Sequence, residues 1–149
     1  MGIERIGDKG HLSEAIVRGD TIYLAGITAR TGETVAEQTK DVLDQIDALL
    51  AQAGSDKTKV LSANIWLTDI GTWAEMNTEW DKWVVPGQTP ARATVESKLA
   101  APGLDVEIMV EAAILGKGSA AKASRPAKKS AKKAVKKATK KATKKAKRK

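Results

Sequence analysis

The chain has 149 residues, no cysteine, one histidine and 26 Lys+Arg against 18 Asp+Glu, for a formal net charge of +8. That length suits one ordinary domain and excludes a large multidomain enzyme. Without cysteine there is no disulfide scaffold, thiolate zinc site or cysteine nucleophile, and a lone His11 leaves no multi-histidine metal centre. No metal and no organic cofactor is expected. No apolar run approaches the ~18 residues a membrane span requires. Residues 1–14 are charged and lack the apolar stretch of a signal peptide. A soluble cytoplasmic protein with no membrane partner is the expectation.

The charge is unevenly distributed. Residues 117–149 carry 16 Lys+Arg and no acid, so the first 116 residues keep 10 basic against 18 acidic groups, a net of −8. Two regions follow, an acidic body over 1–116 and a basic tail over 117–149.

In chain order, a short strand is expected near Ile3–Ile6, then Ser13–Arg18 and Thr21–Thr28 as a hairpin around Arg18-Gly19-Asp20. Val35, Val42, Leu43, Ile46, Leu49, Leu50 and Ala53 fall on one helical stripe within Glu33–Ala53, ended by Gly54. Val60–Thr68 alternates with a period of two. Thr72 is expected to cap a second helix running to about Val85, closed by Pro86-Gly87. Strands Arg92–Leu99 and Leu104–Ile114 flank Ala101-Pro102-Gly103. The order ββαβαββ predicts an α+β fold, a mixed β-sheet with two helices on one face. On this reading the uncovered face carries Arg92, Thr94, Glu96, Glu107, Met109 and Glu111, so Arg92 and Glu107 share it. That mixture suits a self-associating oligomer with polar pockets between subunits.

Two of these residues could carry chemistry. An arginine fork at Arg92 can clamp a carboxylate through two parallel hydrogen bonds, though composition alone favours a surface arginine in a salt bridge. Glu107, flanked by Val106 and Ile108, could relay protons to water; it could also be an exposed strand acid or the ion-pair partner of Arg92 or Lys98. Trp73, Trp80 and Trp83 stand at helical spacing and read as core or interface anchors rather than a base-stacking platform. His11 has no Asp or Cys beside it and reads as a loop residue. No Gly-rich phosphate motif occurs.

Pro90-Ala91-Arg92-Ala93-Thr94-Val95, followed by Val106-Glu107-Ile108, resembles the C-terminal signature of the Rid family, also called YjgF-like. Met76-Asn77-Thr78-Glu79-Trp80-Asp81-Lys82-Trp83-Val84-Val85 is similar to its YoaB-like branch. Tyr23-Leu24-Ala25-Gly26 and Ile65-Trp66-Leu67-Thr68-Asp69 sit where that family has its second strand and its post-helix strand. The resemblance implies a chorismate-mutase-like fold, a homotrimer with clefts between subunits, and hydrolysis of reactive enamines and imines such as 2-aminoacrylate to a 2-keto acid and ammonia. It implies that Arg92 holds the carboxylate of a small metabolite, that Glu107 handles the attacking water, and that Asn77 lies near the cleft. Two positions depart from the pattern of active members: Ala25 replaces a serine and Leu12 a tyrosine. Both changes remove hydroxyl donors. The endoribonuclease label of some relatives has no counterpart in a basic, aromatic groove.

Beyond the Gly116-Lys117-Gly118-Ser119 boundary the alphabet narrows to mostly Ala and Lys, with lysine pairs Lys128-Lys129, Lys132-Lys133, Lys136-Lys137, Lys140-Lys141 and Lys144-Lys145. Such a segment has little to bury and is expected to be disordered alone. It resembles the tails of linker histones and bacterial histone-like proteins. Its charges would bind DNA or RNA without reading sequence, placing the protein at the nucleoid. A tail that only solubilises the chain, or folds back on the acidic body, fits the same composition.

Overall fold

A computed structural model describes residues 2–114. Seven strands and two helices follow in chain order: β1 (Ile3–Asp8), β2 (Ser13–Arg18), β3 (Thr21–Leu24), β4 (Ile27–Thr28), α1 (Val35–Gln52), β5 (Val60–Leu67), α2 (Trp73–Trp83), β6 (Ala91–Glu96) and β7 (Val106–Ala113). The expected mixed sheet with two helices is present. The tail expected to be disordered, with all ten of its paired lysines, lies outside the described residues.

The sheet runs β1-β2-β3-β7-β5-β6, with β4 also on β7. All pairings are antiparallel except β5 with β6. That exception has a topological cause, since α2 connects β5 to β6, and a helical crossover returns the chain in the same direction. β6 is left at the sheet edge.

α1 forms where the apolar stripe requires it. Thr34 and Glu37 make a capping box, with the Glu37 carboxylate accepting from the Thr34 N–H and the Thr34 hydroxyl from the Glu37 N–H. Val42, Ile46 and Leu50 are completely buried against the sheet. Gly54 takes φ +77° just beyond the helix, a conformation open to residues without Cβ. Val106, Ile108, Val110 and Ala112 fill the core from β7, as their alternation predicts.

Four expectations need correction. The stretch Thr21–Thr28 is two strands: Tyr23 pairs with Glu111 and Ile27 with Ile108, so Ala25 and Gly26 together stand opposite Met109. This one-residue bulge keeps both Leu24 and Ile27 in the core. Thr72 makes no side-chain cap; its hydroxyl bonds the Asp69 carbonyl, and Asp69 itself caps the short 3-10 turn ahead of α2. Both C-terminal strands are shorter than expected, and α2 stops at Trp83.

The fourth correction bears on the site. Arg92 pairs with Ala63, Thr94 with Ile65 and Glu96 with Leu67, all three partners buried beneath the helices. Paired residues on adjacent strands point to the same face. Arg92, Thr94 and Glu96 therefore face the helices, whereas Glu107, aligned with Trp66, faces the open side with Met109 and Glu111. Arg92 and Glu107 do not share a face.

Candidate functional site

Arg92 is held from above by α2. Its Nη1 donates to Asn77 Oδ1 at 2.8 Å, and its Cζ lies 5.1 Å from the centroid of the Trp80 ring. Asn77 and Trp80 are three residues apart, so one helix face presents both. Trp80 in turn packs on Trp83, ring centroids 5.3 Å apart, with Lys57 Nζ 5.8 Å from the far indole. The guanidinium is half-buried and has no carboxylate within ion-pair distance among the described residues. Glu96, on the same strand face, accepts instead from the Ile70 N–H at 3.0 Å.

A half-buried cation without a counter-ion is costly unless something offsets its desolvation. Here an amide oxygen and an aromatic face do so, and neither uses up the charge. One Nη1 hydrogen is engaged, which leaves the parallel N–H pair of the Nε–Nη2 edge for an incoming oxyanion. Thr94, next inward-facing residue on the strand, has a buried hydroxyl without a hydrogen-bond partner.

Glu107 is arranged differently. It sits on β7 between Trp66 of β5 and Thr28 of β4. Its carboxylate lies over Gly26, and a Cβ built on that glycine would collide with Oε1. Space for the carboxylate therefore depends on a missing side chain in the bulge. Among the described residues Glu107 forms no ion pair and no side-chain hydrogen bond, so its reading as partner of Arg92 or Lys98 is not what the fold builds. Gly26 and Ala25 line a cleft of about 220 Å³ with Leu12, Glu14 and Arg30. The two positions that lack hydroxyls, Leu12 and Ala25, thus meet in one place.

Arg92 and Glu107 are separated by two strand spacings and three residues along the sheet, roughly 14 Å, and by the sheet itself. The fold brings Asn77 to Arg92 but leaves Glu107 on the other face. Trp80 and Gly26 were not singled out from the sequence as site residues. The i,i+3 spacing of Asn77 and Trp80 was the available signal for the first; the second required knowing that a bulge would place residue 26 beneath residue 107. His11 is an exposed turn residue. Among the described residues no cluster of His, Cys, Asp and Glu could hold a metal, and no helix is long and apolar enough to cross a membrane.

Residues 2–114 match the family model described as endoribonuclease L-PSP. The chain belongs to that family. Curated relatives carry the RutC name: YoaB of Escherichia coli is 40% identical over 114 residues, 76% of this chain and 100% of its own. A RutC family protein of Haemophilus influenzae is 46% identical over 112 residues, 74% of this chain and 97% of its own. Among solved structures, a YjgF family member from Neisseria meningitidis superposes with a TM-score of 0.77 at 50% identity, covering 78% of this chain and 98% of that one. A YjgF/YER057c/UK114 family member from Mycobacterium tuberculosis gives 0.70 at 30% identity, over 75% and 99% of the two chains. The match to the family model ends at residue 114, ahead of the lysine-rich segment.

Proposed function

We propose that the protein hydrolyses reactive enamines and imines of the 2-aminoacrylate kind to a 2-keto acid and ammonia. The observation that carries this reading is the Arg92 guanidinium, fixed by Asn77 and Trp80, with a free donor edge and no acid partner among the described residues. Arg92 binds the substrate carboxylate and Asn77 holds Arg92. Glu107 takes a proton as water adds to the imine carbon, then returns one to the departing nitrogen, so that C=N and H₂O become C=O and NH₃. No metal or cofactor has a role in this scheme. An RNA-cleaving reading draws less support, because residues 1–116 carry 18 acids against 10 bases and would repel a phosphate backbone.

The opposite placement of Arg92 and Glu107 favours a site completed between copies. We take the assembly to be a homotrimer in which one protomer's edge strand β6, with Arg92, meets the open face of the next, with Glu107. Mixing Arg92→Ala with Glu107→Ala tests this directly. Each variant alone should be inactive, whereas random hybrids should regain about a quarter of wild-type turnover, because one interface in four then has both residues. No recovery from a demonstrated hybrid would mean that each site lies within one chain. The assay is hydrolysis of imines generated in situ from several amino acids by an amino-acid oxidase. A well-folded assembly without Arg92-dependent turnover would sink the enzyme reading for those imines.

The 16 basic groups of residues 117–149 support a second role, non-specific nucleic-acid binding at the nucleoid through Lys128, Lys129, Lys132, Lys133, Lys136, Lys137, Lys140, Lys141, Lys144 and Lys145. In this division residues 1–116 are the family domain and 117–149 a basic tail. The lack of hydroxyls at Leu12 and Ala25 favours a variant of this reading, in which the body is a multivalent scaffold or small-acid sensor. Carboxylate binding without turnover would select it. DNA affinity falling steeply with salt, and lost on removing residues 117–149, would establish the tail's part; salt-independent binding would dismiss it.

A further inference from the structure

We propose that Trp80 is a positioning residue for the carboxylate clamp, its indole face setting the plane of the Arg92 guanidinium before any ligand arrives. This rests on the reading of Arg92 as a carboxylate binder. The guanidinium needs two constraints to present one edge: a bond within its plane and a surface against its face. Asn77 supplies the first through Nη1 at 2.8 Å, and the Trp80 ring, over which Cζ lies 5.1 Å from the centroid, is the surface available for the second. Neither alone is sufficient. A single hydrogen bond leaves the group free to swing about it, and a face contact alone leaves it free to spin in plane.

The contact with Trp80 also answers an electrostatic need. No acid lies within ion-pair distance of Arg92 among the described residues, and an acid there would compete with a carboxylate ligand for the same donors. An aromatic face stabilises the cation without occupying any N–H. Trp80 is itself buried, only 5% exposed. The cation is therefore held by Asn77 and Trp80 within one protomer, and Trp83, tilted 46° to the Trp80 ring, lies outside that contact.

A tryptophan that merely filled the core would matter for stability alone. The experiment uses the full chain, with pyruvate as the carboxylate probe and imine turnover as the second readout. Trp80→Leu should weaken pyruvate binding and raise KM by about 5- to 10-fold, with kcat changed less than about 2-fold, the scale of a partly desolvated cation–π contact. Trp80→Phe keeps a π-face and should recover most of the loss. Trp83→Phe, altering an equally buried ring that does not touch the guanidinium, should bind pyruvate like the wild type. Should Trp80→Leu fail to fold, fluorescence decides: pyruvate should change tryptophan emission in Trp83→Phe and leave it nearly unchanged in Trp80→Phe. Wild-type affinity in a folded Trp80→Leu, or an emission change that persists in Trp80→Phe, would overturn the proposal. Pyruvate binding equal in wild type and Arg92→Ala would overturn the carboxylate reading itself, and this proposal with it.

Discussion

The helix-covered side and the open side of the sheet hold the two candidate site residues by opposite means. Arg92 is fixed by side chains, an amide oxygen on Nη1 and an indole ring beneath Cζ. Glu107 is accommodated by an absence: the β3–β4 bulge puts Gly26 where a Cβ would collide with its carboxylate. The first arrangement is tuned by what α2 presents. The second is tuned by backbone geometry and tolerates no added atom. A clamp built of contacts should weaken by degrees when they are trimmed, whereas a carboxylate that occupies a void should be displaced outright when the void is filled.

Gly26→Ala should give the largest effect on function. The carboxylate is the end of a flexible side chain and can swing away, so stability should fall by less than about 1 kcal/mol while kcat falls about 100-fold. Thermal melts beside turnover check this, and undiminished kcat would show that the Glu107 position is not needed. Asn77→Ala should act more gently, weakening carboxylate binding about 10-fold through loss of one charge-assisted hydrogen bond. A Kd for pyruvate unchanged from wild type would show that the helix does not hold the clamp.

Positions outside the two half-sites give the contrast in stability. The added Cβ of Gly32→Ala would meet the Gln38 backbone nitrogen at 2.8 Å, from a residue at φ +116°. Unlike at Gly26, nothing flexible can yield, and a loss of about 1–3 kcal/mol in urea unfolding is expected. Gln38 is a buried polar hub, its Nε2 donating to the Gly103 carbonyl at 2.9 Å and its Oε1 accepting from the Asp105 N–H at 2.8 Å. Gln38→Ala should cost about 1–3 kcal/mol by leaving those groups unpaired.

The smallest effect concerns pH. Backbone N–H groups of Glu33 and Thr34, with the Thr34 hydroxyl, hold the Glu37 carboxyl below its ordinary value of 4.5. A depressed carboxylate adds stability that is complete above its unfolded pKa and lost as pH falls through its folded one. Glu37→Gln keeps the capping geometry but should make the acid limb of Tm against pH slightly shallower below 4.5. An unchanged limb would show that the exposed cap contributes nothing measurable.

Much of this could be read before the fold was known. The stripe from Val35 to Leu50 and the alternation from Val106 to Ala112 carry enough apolar contrast to determine element, face and core. The stretches that hold Arg92, Glu107 and Asn77 were legible as family signatures, the role of each residue staying a proposal, and the family resemblance is borne out over residues 2–114. The hairpin Thr21–Thr28 was legible as β-structure but not as a bulge. A one-residue slip becomes visible only against the partner strand, where Tyr23 meets Glu111 and Ile27 meets Ile108.

The sequence by itself determined that a mixed α+β body carries two charged candidates on its last two strands, which follow one another along the chain ahead of a lysine-rich tail. Only the tertiary structure decided which way each candidate points. In Ala91–Glu96 small and apolar residues alternate with Arg92, Thr94 and Glu96, and ordinary patterning would turn the polar set toward water. Pairing with β5 turns it toward the helices instead, leaving Val95 exposed. An edge strand with little apolar contrast takes its facing from its neighbour's register, because burying Ala63, Ile65 and Leu67 on β5 outweighs the preferences of β6.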